Sequence, residues 1–373
     1  VAMGAKKFLV IKLGAIGDVV HALPAVSLLR KLYPDAVIDW LIEPKSAPIL
    51  DNNPHISSRI VIDTKNWRRS FFKHPFKVLS EIRQLIARLK KTRYDAALDL
   101  QGLLKSSAFA WVSKSRLRFG FPKRECRERL SARLTNRKCW HTVDAKHIVE
   151  KLCWMVWAVA EELGDVEPFA QARFCEGASL ENVIDGSARQ QFRMFLGEAG
   201  VRDGDLIIGV NPCAAWVTKR WSASNFARMI RIMREMNDGR RIRFMLLHGP
   251  KEDLYAENVI EKLGYEAGDD VFLAPPSDIP GLCAILDSCD LVISGDTAVL
   301  HIAAALNRPT VALFGPSDPA RNGPFGNPSV VVWHEMACGP CYKRECKSMA
   351  CIQNVSPKKV ATAAIALAQG ENQ

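Results

Sequence analysis

Nowhere in the 373 residues does an uncharged apolar run reach the roughly 18 residues that a membrane-spanning helix requires, so no segment is expected to cross a bilayer. The opening VAMGAKKFLVIKL carries two lysines before its apolar run, but that run meets Lys12 after four residues and has no small-residue cleavage site. A first strand is the expectation there, not a signal peptide. The dinucleotide fingerprint G-x-G-x-x-G is absent, as is the Gly-Lys-Ser/Thr of a Walker loop, which argues against a dehydrogenase and a P-loop enzyme. No short-period repeat, low-complexity tract or recognised RNA or DNA motif occurs.

What is present is a globular composition, with 48% apolar and 24% charged residues, in a chain long enough for two α/β domains of common size. The formal charge of +11 is unevenly placed: residues 1–150 carry 29 Lys and Arg against 13 Asp and Glu, leaving 22 against 27 in the remainder. A basic face of that size favours an anionic partner (nucleic acid, acidic lipid or a phosphorylated substrate), with a merely solvated face as the alternative. Most of the eleven cysteines stand singly in apolar surroundings, which suits inert core thiols in a reduced, cytoplasmic compartment.

Short β-branched runs at Phe8–Leu13, Ala36–Ile42, Arg59–Asp63 and Tyr94–Leu100 predict four strands, and FKVLSEIRQLIARLKKTR predicts an amphipathic helix. A second series, Leu206–Asn211, Arg243–Gly249, Asp270–Ala274, Leu291–Asp296 and Thr310–Gly315, follows a polar, helix-prone stretch near residues 176–203. Alternating strands and helices imply mostly parallel, doubly wound sheets in two similar halves that meet near 180–205. SPKKVATAAIALAQG predicts a terminal helix. Ligands of such sheets collect at the carboxyl ends of strands, which directs attention to the strand-to-helix turns.

In KLGAIGDVVHALP, two glycines permit close backbone approach and a helix opens near Asp18. Asp18 is either a helix N-cap or a carboxylate at the mouth of an inter-domain cleft, placed to take a proton from an attacking hydroxyl. In SGDTAVLHIAAAL, Asp296 either caps a helix or faces sugar hydroxyls. Thr297 and the free N–H groups of that helix could hold a diphosphate, and His301 lies one turn on. Thr218, Lys219 and Arg220 precede another helix, where positive charge suits a pyrophosphate leaving group or a surface ion pair. Glu252 in HGPKED could accept ribose hydroxyls or favour the helix dipole.

Six segments in this order and spacing, KLGAIGDVVHALPA, YDAALDLQGLLKSS, TKRWSASNFARMI, HGPKED, SGDTAVLHIAAAL and LFGPSDP, resemble the ADP-heptose:lipopolysaccharide heptosyltransferases from residue 8 to about 360. GDVVHALP is similar to heptosyltransferase I, which adds the first heptose to the Kdo of Kdo-lipid A; the segment after Trp333 looks more like heptosyltransferase II. The resemblance implies a GT-B fold of two Rossmann-like domains: 1–185 for the acceptor, 186–355 for the ADP-sugar, and 356–373 as a helix packing back toward the first. It implies Asp18 as catalytic base, and Thr218 with Lys219 as the donor-phosphate loop. Glu252, with Asp253 as the neighbour able to replace it, becomes the ribose contact, Asp296 the heptose contact, and Thr297 and His301 the diphosphate side.

The acceptor is then a phosphorylated, carboxylate-bearing glycolipid, Kdo-lipid A or a heptosylated core. Lys65, Arg68, Arg69, Lys73, Arg118, Lys123, Arg124, Arg127 and Lys105 become candidates to meet its anions and the inner-membrane surface, with Trp67, Phe71 and Phe72 interleaved. The implied enzyme is peripheral on the cytoplasmic face, inverts the anomeric centre, takes ADP-heptose as donor and needs neither cofactor nor metal. Cys338, Cys341, Cys346 and Cys351, spaced C-x2-C-x4-C-x4-C, could hold a structural zinc or iron–sulfur centre, or be reduced loop cysteines. The rivals are another nucleotide-sugar transferase of this fold and, from a different class, a nucleic-acid-binding protein; no nucleic acid is expected as partner.

Overall fold

The computed structural model describes residues 5–166, 179–237 and 239–370. It divides into two compact units, 1–176 and 177–373, so residues up to 185 that were assigned to the first half lie with the second. Part of the reason is visible at residues 180–184, where Leu180, Val183 and Ile184 are buried.

The first unit is built on β1 (Lys7–Ile11), β2 (Val37–Ile42), β3 (Ser58–Val61), β4 (Ala96–Asp99), β5 (Leu117–Gly120) and β6 (Arg137–Lys138). The second is built on β7 (Leu206–Asn211), β8 (Ile242–Leu246), β9 (Val271–Leu273), β10 (Leu291–Gly295), β11 (Thr310–Phe314) and β12 (Ser329–Trp333). The strands lie in the orders β3-β2-β1-β4-β5-β6 and β12-β11-β10-β7-β8-β9, and every pairing is parallel. Each is the doubly wound order in which the sheet grows outward in both directions from one crevice, at β1/β4 and β7/β10. Helices cover both faces, so the central strands read as continuous apolar runs: Phe8 to Ile11, Leu291 to Ile293 and Val311 are fully buried.

Local chemistry sets the helix starts. Asp185 accepts from the N–H of Ala188 at 2.7 Å, Ser222 from that of Asn225 at 3.2 Å, and Pro75 occupies the first turn of helix 75–92. The terminal helix, Pro357–Ala368, was expected to pack toward the first half. Its buried Val360, Ala361, Ala364 and Ile365 join the second unit's core with Phe226, Met229 and Ile230 of helix 223–236. Polar links reinforce that position, because Trp221 donates to the Val355 carbonyl and Asn225 to that of Gln353. Three strands escaped the sequence pattern: β5 and β6 are short and lie among arginines, and β12 is an edge strand.

Candidate active site

The crevice of the first sheet is framed by the turns after β1 and β4. Lys12 is 4% exposed, and its Nζ donates to the Leu100 carbonyl at 2.8 Å, while its own carbonyl accepts from Trp40 Nε1 at 3.1 Å. Gln101 clamps the glycine turn at two points: its Oε1 accepts from Leu13 N–H at 2.7 Å and its Nε2 donates to the Gly14 carbonyl. Below, buried Asp99 accepts from the N–H groups of Gln101 and Gly102, both at 3.1 Å. Burial pushes its carboxyl up, against the opposing pull of Ser106, those two N–H groups and the Lys12 charge. The Asp18 loop is thus braced by a strand remote in sequence.

Asp18 itself is exposed on the short helix Ile16–Val20. Ala15 takes the cap position, and Asp18, three residues on, accepts from Ala15 N–H at 3.2 Å. It therefore is not the N-cap; it supplies the back-reaching half of a capping box and keeps its carboxylate in solvent. Lys105 is engaged with Glu43 Oε1 at 2.6 Å and Thr64 Oγ1 at 3.0 Å, beside the ends of β2 and β3. Lys65, Arg68 and Arg69 are exposed on helix 64–70, and Arg124 with Lys123 and Arg127 on the loop after β5. Arg118 is committed elsewhere, donating to the carbonyls of Leu134 and Ser115.

The crevice of the second sheet gathers the other candidates. Lys219 Nζ stands 2.5 Å from Asp296 Oδ2 and 3.2 Å from the Asp296 carbonyl, and His301 Nε2 lies 3.3 Å from Asp296 Oδ1. Burial alone would push the Asp296 carboxyl up; the His301 hydrogen bond and the charges of Lys219 and His301 outweigh it and hold the group well below the usual carboxylate range. Lys219 also lies over the Trp216 ring at 4.6 Å. Asn211, at the end of β7, donates to Ser294 Oγ and Thr297 Oγ1, both at 3.0 Å, and so fixes the turn between β10 and helix 298–305.

Two candidates sit differently from expectation. Thr218 is buried and its hydroxyl donates to the Lys343 carbonyl at 2.7 Å, which ties this turn to the cysteine-rich segment. Glu252 is half-buried, and its carboxylate folds over Gly249, so close that a Cβ there would lie 2.7 Å from Oε2. Its neighbour Asp253 lines a cavity of about 1230 Å³ at the carboxyl ends of β8 and β9, with Phe192, Phe195, His248, Leu273 and Pro275 among its walls. Cys213 Sγ bridges this turn to the one after β7, at 3.6 Å from the Glu252 carbonyl.

The four spaced cysteines are free thiols, Cys338 and Cys346 exposed and Cys341 and Cys351 half-buried. The Cys351 thiol is pushed up by burial first and then by its neighbours Cys341, Cys338 and Cys346. Among the described residues, no three His, Cys, Asp or Glu side chains converge on a point that could hold a metal ion. The spacing suggests a ligand set that this geometry does not assemble. No helix among them is long and apolar enough to cross a membrane.

The family model described as "Glycosyltransferase family 9 (heptosyltransferase)" matches residues 82–352. The chain belongs to this family. This glycosyltransferase family 9 member is 27% identical over 326 residues to lipopolysaccharide heptosyltransferase 1 of Escherichia coli strain K12, covering 87% of its own length and 92% of the relative's. Its fold is GT-B. It matches the glycosyl transferase family 9 structure from Veillonella parvula with a TM-score of 0.77 at 24% identity over 99% of both chains. It matches E. coli heptosyltransferase WaaC with ADP with a TM-score of 0.66 at 25% identity, over 87% of this chain and 92% of that one.

Proposed function

We propose that this family 9 member transfers L-glycero-D-manno-heptose from ADP-heptose to the Kdo and inner-core region of lipopolysaccharide, with inversion at the anomeric carbon. The observation that carries the reading is the Lys219–Asp296–His301 cluster at the second crevice, in a chain whose family model is that of heptosyltransferases. The second unit receives the donor. The apolar walls of the large cavity suit the nucleoside, and Asp253 or Glu252 at the same turn suits its ribose hydroxyls. Lys219 and the N–H groups of helix 298–305 face charge that grows on the departing ADP. Asp296 keeps its negative charge and, with two lone pairs on each oxygen, can accept from sugar hydroxyls while still held by Lys219 and His301.

The first unit receives the acceptor. Asp18, an exposed carboxylate, takes the proton of the acceptor hydroxyl as that oxygen bonds to the anomeric carbon and ADP leaves. The exposed basic groups Lys65, Arg68, Arg69 and Arg124 suit the acceptor's phosphates and carboxylates, on a peripheral enzyme at the cytoplasmic face of the inner membrane. In this reading Lys219 does the electrostatic work that a divalent metal performs in other transferases, so chelation should leave turnover intact. ADP release from ADP-heptose in the presence of EDTA, with Kdo-lipid A and a heptosylated core as alternative acceptors, is the test. Acceptor-dependent release with either supports heptosyl transfer and fixes the acceptor. Release with neither, or release abolished by EDTA, refutes the corresponding part.

A further inference from the structure

The helical hairpin between β3 and β4, whose Lys65, Arg68 and Arg69 are assigned above to the acceptor, carries at its tip exposed phenylalanines that the transfer chemistry leaves unused. Its inner side is fixed: Trp67 Nε1 donates to Glu81 Oε2 at 2.8 Å, and the ring packs on the core cluster containing Leu85 and Leu89. Its tip is bare. Phe72 is 92% exposed and Phe76 87%, with Phe71 edge-on to Phe72 at 5.8 Å between ring centroids. From Thr64 to Lys77 the sequence has five basic residues and no acidic one. Lys65, Arg68, Arg69, Lys73 and Lys77 are all exposed, and none is in an ion pair among the described residues. The chain leaves β3 at the carboxyl edge of the sheet, and helix 75–92 returns it to the start of β4. The tip therefore lies toward the edge that also bears Gly14 and Asp18.

We propose that this tip docks on an anionic phospholipid bilayer, with Phe72 and Phe76 entering the boundary between headgroups and acyl chains and the basic collar meeting lipid phosphates. Apolar rings at the centre and unpaired cations around them match the layering of such a surface, acyl chains below a plane of phosphate. Exposed aromatic clusters of this kind otherwise oppose solubility. The inference rests in part on the reading above, since a lipid-linked acceptor must be met at its bilayer, but its test requires no sugar substrate.

The full chain is sedimented with vesicles of phosphatidylcholine alone or mixed with phosphatidylglycerol, without donor or acceptor. Binding should require phosphatidylglycerol and weaken as salt rises. Phe72→Ser combined with Phe76→Ser should weaken it at least about tenfold, and Lys77→Glu by about fivefold or more. Thermal melts should not move, because both rings lie outside the core. Equal binding to neutral vesicles, no binding at all, or full binding by the double serine variant overturns the inference, as does a phenylalanine-dependent dimer in light scattering. Transfer to a detergent-dispersed acceptor is followed separately. Loss of vesicle binding with that transfer retained is the expected result for the serine variant. A wild-type chain that binds anionic vesicles but transfers no heptose leaves this inference standing and refutes the functional reading.

Discussion

Replacing Lys219 by Met removes the cation held 2.5 Å from Asp296 while leaving that carboxylate 9% exposed, with His301 as its remaining side-chain partner. Stranding one member of a buried pair costs about 3 kcal/mol, whereas replacing both by apolar groups of similar volume is close to neutral. Lys219→Met should therefore lower the unfolding temperature of the second unit by about 10 °C, and Lys219→Met with Asp296→Leu should recover most of the loss. Calorimetry of the four proteins in this double-mutant cycle reads the coupling directly. The pH dependence has a definite sign. Asp296 has a depressed folded pKa, so its contribution is complete above the unfolded carboxylate value of about 4 and is lost only as pH falls toward the lower folded value. The coupling should be flat from neutral to mildly acidic pH. A coupling within about 0.5 kcal/mol of zero, or one that disappears already near pH 6, refutes the argument. Both variants should also lose donor affinity, which separates the stability effect, recovered in the double variant, from the binding effect, which is not.

Three other outcomes follow from single contacts. Gln101→Leu unclamps Leu13 N–H and the Gly14 carbonyl; kcat should fall about tenfold or more with donor KM little changed, and a pure rise in donor KM would contradict the positioning role. Thr218→Val removes the hydrogen bond to the Lys343 carbonyl and should cost about 1 kcal/mol in denaturant unfolding without altering donor affinity; a weaker donor complex at unchanged stability would restore the phosphate-contact reading. The Cys346 thiol is pulled down by the N–H groups of Met349 and Ser348 at an exposed site, whereas burial pushes Cys289 up to about 12. Iodoacetamide followed by peptide mass mapping should label Cys346 well before Cys289, and the reverse order would contradict the assignment.

Nine of the twelve strands among the described residues were legible because each is a short apolar run closed by a turn residue, the pattern that burial on both sheet faces imposes on the central ones. The strands left out are short or marginal: β5 has four residues and lies among arginines, β6 has only two residues, and β12 lies at an edge. Asp18, Lys219 and Asp296 were legible as polar residues at strand-to-helix turns, and His301 as a histidine one turn into the helix that follows Asp296. Gln101 and Asn211 were not, because their roles exist only once β4 lies beside β1 and β10 beside β7, which no local pattern encodes. A signal for Gln101 was nevertheless present: DLQG closes one of the predicted strands, and an amide at a carboxyl edge has neighbouring turns within reach. The Thr218 contact to the Lys343 carbonyl was not legible, because spacing shows that a hydroxyl is in a loop but not which way it points. Trp67 was read with Phe71 and Phe72 as able either to touch acyl chains or to pack, and its indole turns inward to Glu81.

The central claim is that Asp18 is the base that activates the acceptor. Acceptor-dependent ADP release by wild type and Asp18→Asn, with ADP-heptose affinity measured alongside by calorimetry, tests it most directly. The account predicts a loss of about a hundredfold to ten-thousandfold in turnover with donor binding preserved. Equal turnover by the two proteins would contradict it and leave Asp18 with the one role its contact to Ala15 already gives it, the start of a short helix.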